Sequence, residues 1–200
     1  MKIKKIVDLC KANGKLILYK TDKGQWISDG GAAYPLLNLP DFDCESFCRT
    51  YDINDKTAEK MVFKTRYEFP TRISFEDWLD EERISTRGKI SVFASGVKMI
   101  PYVTSAGIAF VDSKYLNPLM DIKDDMLELY ERYTEDGNLY FAAKAGLVLV
   151  GVIMPINTIN KQFVQTIQEL SKGCTAALLS KGEDNSQIGL FEMGVEEECP

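Results

Sequence analysis

No histidine occurs anywhere in the 200 residues. Its absence removes Ser-His-Asp and Cys-His nucleophile systems, histidine general bases and nearly all catalytic zinc sites. Asp, Glu, Lys and Tyr can still run chemistry, but the first expectation is a protein that holds other macromolecules, not an enzyme, and that needs neither cofactor nor metal. Long apolar runs are also missing. The longest, Gly146 to Ile156, contains Gly151 and Pro155 and falls short of the roughly 18 residues of a membrane span. The opening Met1-Lys2-Ile3-Lys4-Lys5-Ile6 lacks the hydrophobic region of a signal peptide, so a cytoplasmic location is expected. The five cysteines (10, 44, 48, 174 and 199) form no Cys-x-x-Cys pair, which leaves no disulfide framework and no complete thiolate metal site. Gly30-Gly31 precedes Ala-Ala-Tyr-Pro and lacks the frame of a phosphate-cradling loop.

What is present is a globular composition, 45% hydrophobic and 10% aromatic, with ample material for a core. The formal charge of −6 is unevenly spread: residues 1–100 carry +2 and residues 101–200 carry −8. Any surface that faces a polyanion is therefore expected in the first half. Ile3, Ile6, Val7 and Cys10 recur at helical spacing, while Lys4, Asp8, Lys11 and Lys15 fall along another face with Lys2 and Lys5 beside them. Asn13-Gly14 stops this helix. Lys15 to Thr21 reads as a strand, turned back at Asp22-Lys23-Gly24 into Gln25 to Ser28.

Further along, the pattern predicts a helix through Cys44, Phe47 and Tyr51 capped by Asp41 or Asp43, a second from Asp55 to Met61, then a strand over Val62 to Phe69. Ser74 with Asp77 resembles a capping box and predicts a helix near 75–83. The charged stretch Arg83 to Lys89 is the expected boundary between two domains, 1–88 and 89–200. Strands are expected at 90–94, 98–103, 107–111, 139–143 and 147–153, with Asp112-Ser113 capping a short helix; 126–133 is a strand by composition, although its Leu and Glu leave a helix open. A final helix starts at Thr158 or Asn160, turns Phe163, Ile167 and Leu170 inward and stops at Gly173, before an acidic solvated tail, Glu196-Glu197-Glu198. Helix, strand, turn, aromatic strand and an apolar run ending in proline (Pro35, Pro155) occur in that order in both halves, which suggests duplicated domains.

One segment carries a family resemblance. Phe110-Val111-Asp112-Ser113-Lys114-Tyr115-Leu116, then Leu127-Glu128-Leu129, Leu139-Tyr140-Phe141 and Gly151-Val152-Ile153-Met154-Pro155 resemble the closing part of DNA sliding-clamp (polymerase processivity factor) domains. There a helix with a Lys-Tyr-Leu type motif precedes a hairpin and a last strand ending in Val/Ile-Met-Pro. The resemblance covers residues 110–156. It implies an α+β fold of two related domains with helices on one face of antiparallel sheets. It also implies a ring around duplex DNA that tethers a polymerase. Clamp rings contain six similar domains, so two per chain imply a homo-oligomer, a trimer. The helices would line the hole, where sparse lysines touch phosphates without reading bases. Lys2, Lys4, Lys5, Lys11 and Lys15 on or beside the first helix, and Lys114 on the second, are then the DNA-facing residues.

Two other functions fit the composition. One is a cytosolic protein-interaction or regulatory module with no DNA role, whose acidic second half binds a protein partner. The other is a metal-dependent enzyme centred on Asp121, Asp124, Asp125 and Glu128, whose carboxylates could take a divalent cation; their spacing matches neither an EF-hand nor a nuclease signature.

Overall fold

The computed structural model describes residues 2–122 and 126–181. The chain divides into two compact units, Met1–Asn157 and Thr158–Pro200. It is mixed α and β, with twelve strands and five helices among the described residues. None of these helices is long and apolar enough to cross a membrane.

Alternation along the strands sets the first unit. In β1 (Lys15–Thr21), Leu16 and Leu18 enter one apolar layer and Ile17 and Tyr19 another, as a period of two requires when both faces of a sheet are covered. The same division runs through β2 (Gly24–Ser28), β3 (Ala32–Pro35), β10 (Leu127–Tyr133), β11 (Leu139–Ala145) and β12 (Val148–Ile153). For example, Phe141 and Ala143 face one layer while Tyr140 and Ala142 face the other.

These strands join β4 (Val62–Arg66) and β5 (Arg83–Ile84) in one eight-stranded sheet, ordered β4-β1-β2-β3-β12-β11-β10-β5. All its pairs are antiparallel except β1 with β4, which is parallel. The order is mirrored about the β3–β12 joint, where Ala33 pairs with Val152 and Ala32 with Ile153. On one side lie α1 (Ile3–Ala12), β1, β2 and β3; on the other lie α4 (Ser113–Leu116), β10, β11 and β12. The repeated order of elements in the two halves is thus present, as two halves of one sheet.

Helices α1 and α4 cover the same sheet face: Ile6, Val7 and Cys10 of α1 share an apolar layer with Leu116 of α4 and with Leu119 in the following 3-10 turn. α2 (Cys44–Thr50) adds Phe47 to that layer, and the single turn α3 (Asp55–Ala58) lies near it through Ala58. A second sheet centres on β8 (Val97–Thr104), flanked by β9 (Gly107–Asp112) and by the short β6 (Thr86–Arg87) and β7 (Val92–Ala94). Its Ile100, Tyr102, Ala109 and Val111 enter the same layer.

The expected division into 1–88 and 89–200 falls inside the first unit. Its charged stretch is where the chain passes from β5 in one sheet, through buried Ser85, to β6 in the other. Both sheets then share one core, because strands from either side of residue 88 contribute to it.

Residues 67–82 pass over the opposite face without forming a helix. The Ser74/Asp77 pair does not cap anything helical: the Asp77 carboxylate accepts the Leu149 amide of β12 (2.7 Å), and the Ser74, Glu76 and Asp77 carbonyls accept Arg132 (3.4, 2.9 and 3.4 Å). Phe69 and Phe75 stack with ring centroids 3.8 Å apart, and each meets the Trp26 ring edge-on. Beneath this segment Glu82 holds two cations, Arg132 (2.5 Å) and Lys144, with side chains 1%, 1% and 2% exposed. Lys144 also lies 4.4 Å from the Tyr130 ring centroid.

In the second unit, α5 (Lys161–Lys181) begins with the Asn160 side chain accepting the Phe163 amide (2.9 Å). It continues through Gly173, since one helical glycine costs only about 1 kcal/mol and Ala176, Ala177, Leu178 and Leu179 follow it. Ile167 and Leu170, expected to turn inward, are solvent-exposed. The acidic tail lies outside the described residues.

Removing one partner of a buried ion cluster strands the others in low dielectric. Glu82→Gln is therefore expected to lower unfolding free energy by about 3–5 kcal/mol, read from urea denaturation. A loss below about 1 kcal/mol would mean that the cluster is solvated.

Candidate nucleic-acid interface

The six lysines singled out from the sequence do not form one surface. Lys4 is exposed on α1 with no ion pair among the described residues. Lys5 and Lys11, half-buried, donate to backbone carbonyls of Asn117 (3.4 Å) and Tyr51 (3.5 Å) and make no ion pair among the described residues, although the Lys5 charge acts on the Asp121 carboxylate. Asp8 is exposed on the same helix. Lys2 is neutralised by Asp121 at 2.6 Å. Lys114 sits 3.4 Å from Asp112 and 4.9 Å from the Tyr115 ring centroid. Lys15 belongs elsewhere: in β1 it alternates with the core residues Leu16 and Leu18, so it shares the opposite sheet face with Ile17 and Tyr19. Among the described residues the helix side therefore retains Lys4, Lys5 and Lys11 without an ion pair, with Asp8 on the same helix and Asp121 near Lys5.

A buried polar cluster fixes how the two helices sit. The Asp29 carboxylate, at the end of β2, accepts the amides of Gly31 (2.8 Å) and Ala32 (3.0 Å) and the side-chain amide of Asn13, which follows α1. The Tyr115 hydroxyl of α4 hydrogen-bonds to the same Asp29 and Asn13. Tyr34 of β3 donates to the Tyr115 carbonyl at 2.6 Å. The α1 C-terminus, the β2–β3 turn and α4 thus meet at one carboxylate. At the other end of the pair, the Lys2 amide donates to the Pro118 carbonyl at 2.8 Å.

The cluster also explains why residue 31 is a glycine. A Cβ there would lie 2.2 Å from the Tyr115 hydroxyl, an oxygen held by two hydrogen bonds. The glycine is a close-packing requirement.

Chemically this cluster is quiet. Burial, with the Asp29 charge adding to it, pushes the Tyr115 phenol to about 12 and the Cys10 thiol to about 12. Burial first, then Asp29, raises Tyr34 well above its usual value. Such groups stay protonated at neutral pH and are poor nucleophiles. The acidic residues proposed for a metal are engaged: Asp121 binds Lys2, which holds its carboxyl below the usual range, and Glu128 accepts the Tyr130 hydroxyl at 2.9 Å. Asp124 and Asp125 lie outside the described residues. Among the described residues no group of three or more Cys, Asp and Glu is placed to hold a metal ion.

No protein-family model, curated protein or solved structure matches this chain.

A phenol whose pKa is raised by folding stabilises the fold fully below its unfolded pKa near 10, and that contribution disappears as pH rises through the folded value. For Tyr115 the window is pH 10 to about 12. The urea midpoint is expected to fall across it, and to fall less steeply in Tyr115→Phe. Equal slopes in the two proteins would show that the phenol ionises without cost to the fold. Gly31→Ala is expected to lower stability by about 1–3 kcal/mol through the displaced ring, measured at pH 7.

Proposed function

We propose that this chain is a non-catalytic, DNA-associated scaffold resembling a sliding-clamp domain, which assembles into a ring around duplex DNA and serves as a tether for a polymerase. One observation carries the reading: two helices, each followed by a three-stranded meander, lie together on one face of a single mirrored sheet. The same order of helix and meander in the first forty residues supports carrying the resemblance of residues 110–156 over to them. Lys4, Lys5 and Lys11 supply charge on the helix side, enough for sparse phosphate contacts and too little for tight, static binding.

The trimer expected from two domains per chain gives way to a different number. The first unit is one mirrored domain, so six domains in a ring take six copies. Polar residues 2 and 114, already paired with acids, contribute little to DNA binding; Lys15 contributes nothing, being on the other face.

A second reading, a protein-interaction module with no DNA role, is supported by Ile90 and Phe93, which are 79% and 75% exposed.

Two measurements test the ring. Solution mass is expected near six times the 22.6 kDa of the chain; a monomer at micromolar concentration sinks it. Binding to duplex DNA is expected to be sequence-independent, to persist longer on closed circles than on linear fragments, and to weaken with salt. In Lys4→Glu/Lys5→Glu/Lys11→Glu the slope of log K against log salt should drop by about one for each lost phosphate contact. An unchanged slope places the DNA elsewhere or nowhere.

A further inference from the structure

The face of the sheet opposite the helices carries a second concentration of positive charge. A groove of ≈ 630 Å³ runs beside β4, with Lys15, Lys64, Arg66 and Tyr67 among its lining residues and Ile17 and Tyr19 at its apolar base. Its position follows from strand geometry. β1 and β4 pair in parallel with Lys15 beside Val62, Ile17 beside Lys64 and Tyr19 beside Arg66. Residues two apart share a face and lie about 6.6 Å apart, and neighbouring strands lie about 4.8 Å apart. Lys64 and Arg66 are thus neighbours on one face; Lys15 lies on the same face with its ammonium beside Gly30.

None of the three makes an ion pair among the described residues, although other surface cations of this unit, Lys23 and Arg72, are matched with Glu76 and Asp136. One acid, Glu68, lies in the lining. Grouped like charges repel, and the patch gains most from an anion that spans them. Tyr67 at the rim is 75% exposed, an aromatic face open beside the cations. A volume of this size, an apolar floor and a few convergent polar groups are the features of a small-ligand site.

We propose that this groove binds a nucleotide, with its phosphate against Lys64 and Arg66 and its base against Tyr67. The nucleotide is either free or one link of a single strand, since both present the same phosphate and the same ring. An acidic peptide shares only the charge and leaves Tyr67 unused. The site lies on the opposite sheet face from Lys4, Lys5 and Lys11 and does not depend on the ring.

The test uses the full chain and fluorescence or calorimetric titration with four probes: thymidine triphosphate, fluorescein-labelled decathymidylate, inorganic pyrophosphate and a decaglutamate peptide. One of the first two is expected to bind saturably. Lys64→Glu/Arg66→Glu should weaken it at least tenfold, and Tyr67→Ala by about fivefold or more, the contribution of one stacked base. These side chains are exposed, and circular dichroism verifies that the variants fold. Decathymidylate binding more tightly than the triphosphate identifies a single strand as the source; equal or weaker binding identifies the free nucleotide. The Lys4→Glu/Lys5→Glu/Lys11→Glu variant should bind the preferred probe as the parent does. The proposal is overturned if neither nucleotide probe saturates at millimolar concentration, or if pyrophosphate or decaglutamate binds as tightly as both. It is equally overturned if either groove variant leaves affinity unchanged, or if the α1 variant abolishes it.

Discussion

The antiparallel joint between β3 and β12 is the contact on which the rest of the molecule depends. Only two residue pairs cross it, Ala33 with Val152 and Ala32 with Ile153, yet they turn two separate meanders into one sheet. The approach is close because Gly151 lacks a side chain: a Cβ there would lie 3.2 Å from the Tyr34 ring and 3.4 Å from the Ala33 carbonyl. Tyr34, held by that approach, reaches across to the Tyr115 carbonyl and so ties the sheet joint to α4. The joint also merges the apolar layers beneath the two meanders. Joined, they share one core from Ile6 to Ile153.

Once the halves are joined, both faces of the sheet need cover, and the cover determines what each face can do. The helices and second sheet close one side, leaving a small lysine-bearing ridge. Residues 67–82 close the other, pinned by Arg132 and Glu82 beneath them. Pinning that segment leaves a groove at its start, between Tyr67 and the edge strand β4. Positive charge is consequently divided between two faces of a protein whose net charge is −6, instead of being collected along one helix.

Much of this was legible in residue order. Asp22-Lys23-Gly24 marks the first hairpin, Asp43 is one of the two aspartates that could cap α2, Asp112-Ser113 marks the start of α4, and the composition of 126–133 favours the strand that forms, though it leaves a helix open. The recurrence of helix, strand and turn was visible too, but not its meaning. Duplication can build two domains or one mirrored sheet, and only long-range pairing decides between them. Other features were hidden for the same reason. Ser74 and Asp77 have helix-capping spacing, but a buried arginine takes the carbonyls a helix would need. Lys144 looks like a surface residue until Glu82, 62 residues away, is brought beneath it. Lys15, by contrast, is a local matter: the helix stop at Asn13-Gly14 and the strand pattern that begins at Lys15 already separate it from the α1 lysines, and a period of two sends it to the other face. Lys64, Arg66 and Tyr67 carried no motif; only the parallel pairing of β4 with β1 makes a groove of them.

If the β3–β12 joint makes residues 1–157 a single cooperative unit, its two halves must open together. Native-state hydrogen exchange read at the amides of Leu18 and Ile27 in the first half, and Phe141 and Ala143 in the second, measures this directly. Equal opening free energies, close to the global unfolding value, are predicted for all four. A first half that exchanges through an opening several kcal/mol cheaper than the second would contradict the single mirrored core, and would restore two independently stable domains.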